Sequence, residues 1–265
     1  MAPIDLEAVA RAAEAAADRA RKEILPRFRA VETETKPDGS PVTEADRAAE
    51  QGIRAVLSDA FPEFAVLGEE FGAQAGAAPA AETSGAPTWV IDPIDGTLGF
   101  ARGLPLAATL IALLVEGEPV LGLIDLPMLD ERYVGWQAGG VRRNGQPVRC
   151  SERSDPKTAL VAHGDAFCFD LCGERPAWER MARELPVLRG YTDAFGHAQV
   201  LGGGIDAMVD LALAPWDVAA TRILVPEAGG RCLTFDYPAI DKVGVVIGSP
   251  ALVEQLADFL SAKPR

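Results

Sequence analysis

Apolar residues near the start of the chain recur at intervals of three and four. Ala10, Ala13, Ala17, Ala20 and Ile24 fall on one face, which predicts a helix over residues 4–25 stopped at Pro26. A second helix is expected from about Glu44 to Ala60, with Ile53, Val56 and Leu57 inward and Pro62 beyond its end. Between them, TKPDGSP (35–41) reads as a loop by its Pro, Gly, Asp and Ser content. FAVLGEE (64–70) is a short buried strand that ends in two glutamates, and residues 88–92 form another that runs into two aspartates. The alanine- and glycine-rich stretch 73–87 is of low complexity and expected to be mobile.

From Leu106 to Val148 the pattern changes to strands broken at Gly117-Glu118-Pro119, Gly139-Gly140 and Asn144-Gly145, the mark of an antiparallel meander. After Cys150, strand-like runs (159–163, 206–211, 231–235, 244–248) alternate with helical ones (175–185, 195–204, 216–225, 250–260). Pro226 is expected to end or kink the helix before it. The chain therefore divides into an N-terminal half, 1–150, of helices and an antiparallel sheet, and a C-terminal half, 151–265, of alternating helices and strands. No internal repeat is visible.

Composition narrows the class. The 265 residues are 48% hydrophobic and 24% charged, the profile of an ordinary globular protein of one large or two modest domains. No apolar run approaches the ~18–20 residues of a transmembrane helix. The N-terminus carries Asp5 and lacks the apolar segment of a signal peptide, so the expected compartment is the cytoplasm. Cys150, Cys168, Cys172 and Cys232 form no CxxC pair and read as free thiols. With 25 basic against 39 acidic side chains, the net charge is −14. Such a surface repels nucleic acid and anionic membrane, and neither is an expected partner. It would also repel a phosphorylated metabolite unless something inverts the sign locally.

The candidate chemistry lies where strands end in acid. Glu69 and Glu70 close one strand, Asp92 and Asp95 close another, and Asp217 opens a helix in APWDVAA. Each has an ordinary reading: turn formers for the aspartates, a solvated loop for the glutamates, a dipole partner for Asp217. Asp46 would complete a capping box with Thr43, and His163 and His197 read as satisfied structural residues. If the strand ends converge, however, so many like charges cannot all stay ionised without cations. Oxygen ligands without paired histidines favour Mg²⁺ or Mn²⁺. Two such ions roughly 3.5–4 Å apart are a known arrangement for phosphate hydrolysis. Gly96-Thr97 would then offer backbone N–H groups to phosphate, with the Thr97 hydroxyl orienting a water.

GEE at 68–70, WVIDPIDGT at 89–97 and PWDVAA…PEAGG at 215–230 stand in the order and spacing of the inositol monophosphatase family. TKPDGSPVTEAD (35–46) resembles its N-terminal Lys and Thr-x-x-Asp element, and the resemblance covers about residues 5–260. It implies an α+β fold, a layered αβαβα sandwich, and a phosphomonoesterase that is a homodimer inhibited by lithium and by excess calcium. It further implies two or three Mg²⁺ ions per site, replaceable by Mn²⁺. Glu69, Asp92 and the Ile94 carbonyl would hold the first metal, and Asp92, Asp95 and Asp217 the second. Asp46 with Thr97 would position the attacking water, with Asp46 also serving a further weak metal. Asp95, Gly96 and Thr97 would meet the substrate's phosphate side, and Asp210 its hydroxyls. The chain departs from the family at Thr97-Leu98-Gly99-Phe100, where Asn or Ser usually precedes Phe, and at Pro226.

The family's substrates include inositol phosphates, histidinol phosphate, 3′-phosphoadenosine compounds and fructose bisphosphate. YTDAFGH (191–197) and residues 104–135 resemble the histidinol-phosphatase branch, which implies histidinol phosphate as the small phosphorylated metabolite and a place in histidine biosynthesis. Asp193 would face the substrate's ammonium; the plainer reading makes it a helix N-cap. Inositol 1-phosphate is the alternative substrate, and a non-catalytic binding module of the same fold a remoter one.

Overall fold

The first helix, α1 (Leu6–Arg27), starts where the Asp5 carboxylate accepts from the amides of Glu7 and Ala8, the usual N-cap device. It does not stop at Pro26 but runs one residue past it. In a last turn proline's fixed φ is already helical and only one hydrogen bond is forgone. Residues 4–37, 39–76 and 86–265 are described by the structure, a computed structural model. Most of the low-complexity stretch, 77–85, lies outside them, while its start belongs to a short strand.

After α1 come a small hairpin of β1 (Glu34–Thr35) and β2 (Pro41–Val42), then α2 (Glu44–Ala60). Thr35 and Pro41, the ends of the TKPDGSP segment, are thus paired strand residues of that hairpin. The first sheet contains β3 (Ala65–Gly68), β4 (Gly72–Gln74), β5 (Thr88–Asp95), β6 (Ala108–Val115), β7 (Glu118–Leu126), β8 (Glu131–Trp136), β9 (Gly140–Arg143) and β10 (Gln146–Val148). Its order is β10-β9-β8-β7-β6-β5-β3-β4. The expected meander is there as β6 to β10, and every pairing is antiparallel except β3 with β5. A short helix, α3 (Thr97–Ala101), follows β5.

The second sheet contains β11 (Val161–His163), β12 (Leu188–Gly190), β13 (Ala207–Leu213), β14 (Arg231–Tyr237) and β15 (Lys242–Gly248), in the order β12-β11-β13-β15-β14. It is mixed: β12, β11 and β13 are parallel, and β13, β15 and β14 antiparallel. Between its strands run α4 (Ala166–Leu171), α5 (Arg175–Glu184), α6 (Asp193–Leu201) and α7 (Pro215–Glu227), and α8 (Pro250–Ala257) ends the series. Pro226 does not end α7 either, since it too sits in the last turn, where Ala228 N–H closes on the Leu224 carbonyl.

Side-chain alternation along the strands explains the layering. On β5, Trp89 and Ile91 join a core with α1 and α2, while Val90, between them, joins a core with α6 and α7. On β15, Val245 and Ile247 face that same central core, while Val246 faces α4, α5 and α8. The central strands of both sheets are therefore buried on both faces, which is why they read as continuous apolar runs. The result is helices, sheet, helices, sheet, helices: the αβαβα sandwich of the α+β class. Among the described residues no helix is long and apolar enough to cross a membrane.

Candidate active site

Asp92 and Asp95 are three apart on one strand, and a regular strand would send side chains at an odd separation to opposite faces. The ladder is not regular here. Asp92 pairs with Leu110 and Asp95 with Ala108, so three steps on β5 oppose two on β6. The extra residue is a bulge, which re-aims a side chain next to a site. Pro93 lies in it without an amide to orphan, and its carbonyl accepts from Thr109 Oγ1 at 2.8 Å. Both carboxylates consequently come to the same side, where Asp217 in the first turn of α7 meets them. One oxygen from each of Asp92, Asp95 and Asp217 lies within 4.8 Å of the others.

Such crowding shows in the protonation. Loss of surrounding water, then the charges of Glu69, Asp95 and Asp217, hold Asp92 well above the usual carboxylate range. Asp95 is raised in the same way, by burial and then by Asp193 and Asp217. Burial pushes Asp217 up to about 7 against the pull of the Ala214 N–H. A cluster of oxygen donors that holds excess negative charge and has no histidine among its members matches a hard divalent cation.

Glu69 lines the same cleft on the loop after β3, and its position is set by charge on both sides. Lys36 Nζ bridges Glu69 and Glu70 at 2.8 and 2.7 Å. Behind the loop, fully buried Glu50 of α2 accepts from the amides of Glu70 (2.8 Å) and Phe71 (3.2 Å) and from Arg54 Nε (2.7 Å). Arg54 in turn donates to the Gly72 carbonyl at 2.5 Å. The sequence reading did not single out Glu50 or Arg54. The available signal was a pair of opposite charges four apart on the face that carries Ile53 and Leu57. Glu50→Gln should cost about 1–3 kcal/mol, the usual penalty for a buried amide left without its acceptor, seen as a lower urea midpoint; an unchanged midpoint would mean the loop does not need the carboxylate.

Asp46 completes the expected capping box and also reaches Thr97. Its Oδ2 accepts from Thr43 N–H and Oγ1 at 2.8 and 2.6 Å, completing the capping box of α2. Its Oδ1 faces Thr97 Oγ1 at 3.0 Å, and Thr97 Oγ1 also lies 2.9 Å from the Ile94 carbonyl. Gly96, between strand and helix, has φ +80°, the left-handed turn that suits glycine.

Asp193 is not an N-cap. Thr192 holds that position, and Asp193 is the first helical residue with φ +60°. Its Oδ2 approaches to 3.0 Å from where a Cβ on Gly96 would stand, and the next amide, Ala194 N–H, donates to Asp95 Oδ2 at 2.5 Å. Asp193 lines both the acidic cleft, of about 330 Å³, and an adjoining hollow of about 310 Å³. Asp210 lies beside the cluster, and its charge adds to the crowding at Asp95, Asp193 and Asp217. It is 3% exposed, its carboxylate bonded to His197 Nε2 at 3.2 Å. His163 and His197 are not members of the acidic cluster, and all four cysteines are free thiols.

Comparison with known proteins shows the family and the fold. The sequence profile of the inositol monophosphatase family matches residues 2–262. A histidinol-phosphatase of Streptomyces coelicolor is 38% identical over 96% of this chain and 97% of its own. Another, of Chlorobaculum parvum, is 36% identical over 91% and 92%. Among solved structures, an inositol monophosphatase from Zymomonas mobilis superposes with a TM-score of 0.79 at 30% identity, covering 97% of this chain and 99% of that one. One from Anabaena gives 0.80 at 26% identity over 97% and 96%. A shared fold, a match along nearly the whole chain and identities above 30% with named phosphatases leave one conclusion: the protein belongs to the inositol monophosphatase family, generally metal-dependent, and is a phosphoric monoester hydrolase.

Proposed function

We propose that the protein hydrolyses L-histidinol phosphate, with Mg²⁺ at the acidic cluster. The observation that carries this reading is the place of Asp193, a carboxylate at the junction of the acidic cleft and the hollow beside it. The hollow is lined further by Asp165, Arg102, Leu104 and Leu106. Two carboxylates, Asp165 and Asp193, outnumber Arg102 there among apolar walls, which suits an ammonium and a flat heteroaromatic ring better than a ring of hydroxyls. That the relatives named histidinol-phosphatase reach 34–38% identity supports the same choice.

Glu69, Asp92 and the Ile94 carbonyl would hold one ion, and Asp92, Asp95 and Asp217 a second. When bound, divalent ions supply Lewis-acid polarisation of the phosphoryl group and offset the carboxylate charge. The chain's own residues do the rest. The Gly96-Thr97 turn presents backbone N–H groups to the phosphate oxygens. The Thr97 hydroxyl donates to Asp46 Oδ1, which leaves its lone pairs to accept from a water O–H and so orient that water toward phosphorus. Asp193 takes the ammonium, fixing the far end of the substrate.

Among a panel of phosphomonoesters, L-histidinol phosphate should show the highest kcat/KM. Asp193→Asn should raise its KM about 10–150-fold, since a hydrogen bond to a charged partner contributes ~1.5–3 kcal/mol. Hydrolysis of inositol 1-phosphate by the same variant should hardly change, because an amide still bonds a hydroxyl. Better turnover of inositol 1-phosphate by the unmodified protein would replace this reading with the polyol one.

A further inference from the structure

His197 is 1% exposed and joins three elements that build the site. Its Nε2 lies 3.2 Å from Asp210 Oδ2 on β13, and its Nδ1 lies 2.9 Å from Thr221 Oγ1 on α7. A carboxylate only accepts, so the proton on Nε2 points at Asp210. The ring itself belongs to α6, one turn after Asp193 and Ala194. The fold leaves room for this arrangement at Gly164: a Cβ there would fall 1.9 Å from Asp210 Oδ1. The space that lets Asp210 turn inward thus exists only because residue 164 has no side chain.

The opening of α6 is the part of the site that His197 controls. Ala194 N–H reaches Asp95, and Asp193 stands against Gly96; a small rotation of the helix would spoil both contacts. We infer that His197 is a positioning residue: it keeps Asp210 in the interior and pins α6, so the carboxylate offered to the far end of the substrate is Asp193. Preference for a cationic over a polyol phosphomonoester then follows from which of two acids faces the cleft. The preference rests on the proposed substrate class; the tie itself does not.

Two replacements separate the bonds. Gln at 197 reaches about as far as Nε2 and keeps the contact with Asp210, whereas Asn stops near Nδ1 and releases it. In the metal-free full chain, hydrogen exchange at the Ala194 amide should speed by about 10-fold or more in His197→Asn and stay within about 3-fold in His197→Gln, since local opening sets that rate. With Mg²⁺, His197→Asn should raise the KM for L-histidinol phosphate with kcat changed less than about 3-fold, and shift preference toward inositol 1-phosphate. Asp210→Asn, which still offers His197 an acceptor oxygen, should leave that KM within about 3-fold of the unmodified value, far below the effect of Asp193→Asn.

A KM rise in Asp210→Asn equal to that in Asp193→Asn would overturn the inference, because Asp210 would then touch substrate. Unchanged Ala194 exchange in His197→Asn would overturn it as well. If the unmodified protein prefers inositol 1-phosphate, the substrate proposal fails and the exchange comparison still decides whether His197 pins the helix. Should His197→Asn not fold, Asp210→Asn and His197→Gln carry the decision by the same two readouts.

Discussion

Asp95→Asn should lower kcat by about 10³-fold while raising the melting temperature of the metal-free protein. The first effect follows from its place in the cluster. A ligand that holds a catalytic cation contributes several kcal/mol of transition-state charge stabilisation, and ~4 kcal/mol corresponds to about three decades in rate. The second follows from the same charge viewed in the resting protein. Asp92, Asp95 and Asp217 offer oxygens within 4.8 Å of one another, and like charges that close disfavour the ionised state. Neutralising one relieves that repulsion, while the amide oxygen of Asn can still accept from Ala194. A rise of about 2–4 °C, the shift expected per kcal/mol in a chain of this size, should appear by calorimetry in chelator. Near-normal turnover, or a lower melting temperature without metal, would show that Asp95 has been given the wrong role.

Removing the metal from the unmodified protein should abolish turnover, and Mg²⁺ or Mn²⁺ should restore it. The carboxylates by themselves repel a phosphate dianion, and the cleft's Lys242 and the Lys36 that bridges Glu69 and Glu70 are outnumbered by them. A cation that binds the folded chain alone also stabilises it: at a hundred times its Kd the gain is ~2.7 kcal/mol, or about 5–10 °C at the same rate of exchange. The activity and the melting temperature should therefore rise over one range of Mg²⁺ concentration. Full turnover in excess chelator, or activity that saturates where stability does not move, would count against a cation at this cluster.

Much of this site could be read before any coordinates, and the reasons are specific. The acids at the ends of β3 and β5 and at the start of α7 are local features, marked by an apolar run that stops at a carboxylate. The strands of the meander were readable because turn residues punctuate them. Apolar spacings of three and four gave α1 and α2 nearly to their ends. What escaped depends on partners far away in sequence. Glu50 looks like any polar helix residue until the loop after β3 packs over it. His197 and Asp210 are only 13 apart, yet their bond depends on the gap at Gly164 and on α7 arriving with Thr221. The strand β12 and helix α4 are too short to show a period, and the two helix-borne prolines misled because a last turn tolerates what a middle turn does not. Asp193 could also be read as a cap, and only Thr192 in the N-cap position removes that reading.

The acidic trio draws on both ends of the chain's order of assembly. Asp92 and Asp95 belong to a strand that can pair with its sequence neighbour β6, whereas Asp217 stands well over 100 residues later, on a helix that follows a strand of the other sheet. Contacts across so long a span form late, after the local pairings that shorten the loop between them. The repulsion that Asp217 adds to the Asp92–Asp95 pair is consequently expected at the closing step of folding, when the second sheet swings onto the first through the central helices. A divalent cation present at that moment removes an obstacle at the last joint of the molecule, and its influence should fall on how fast the two sheets dock, leaving the earlier formation of each sheet untouched.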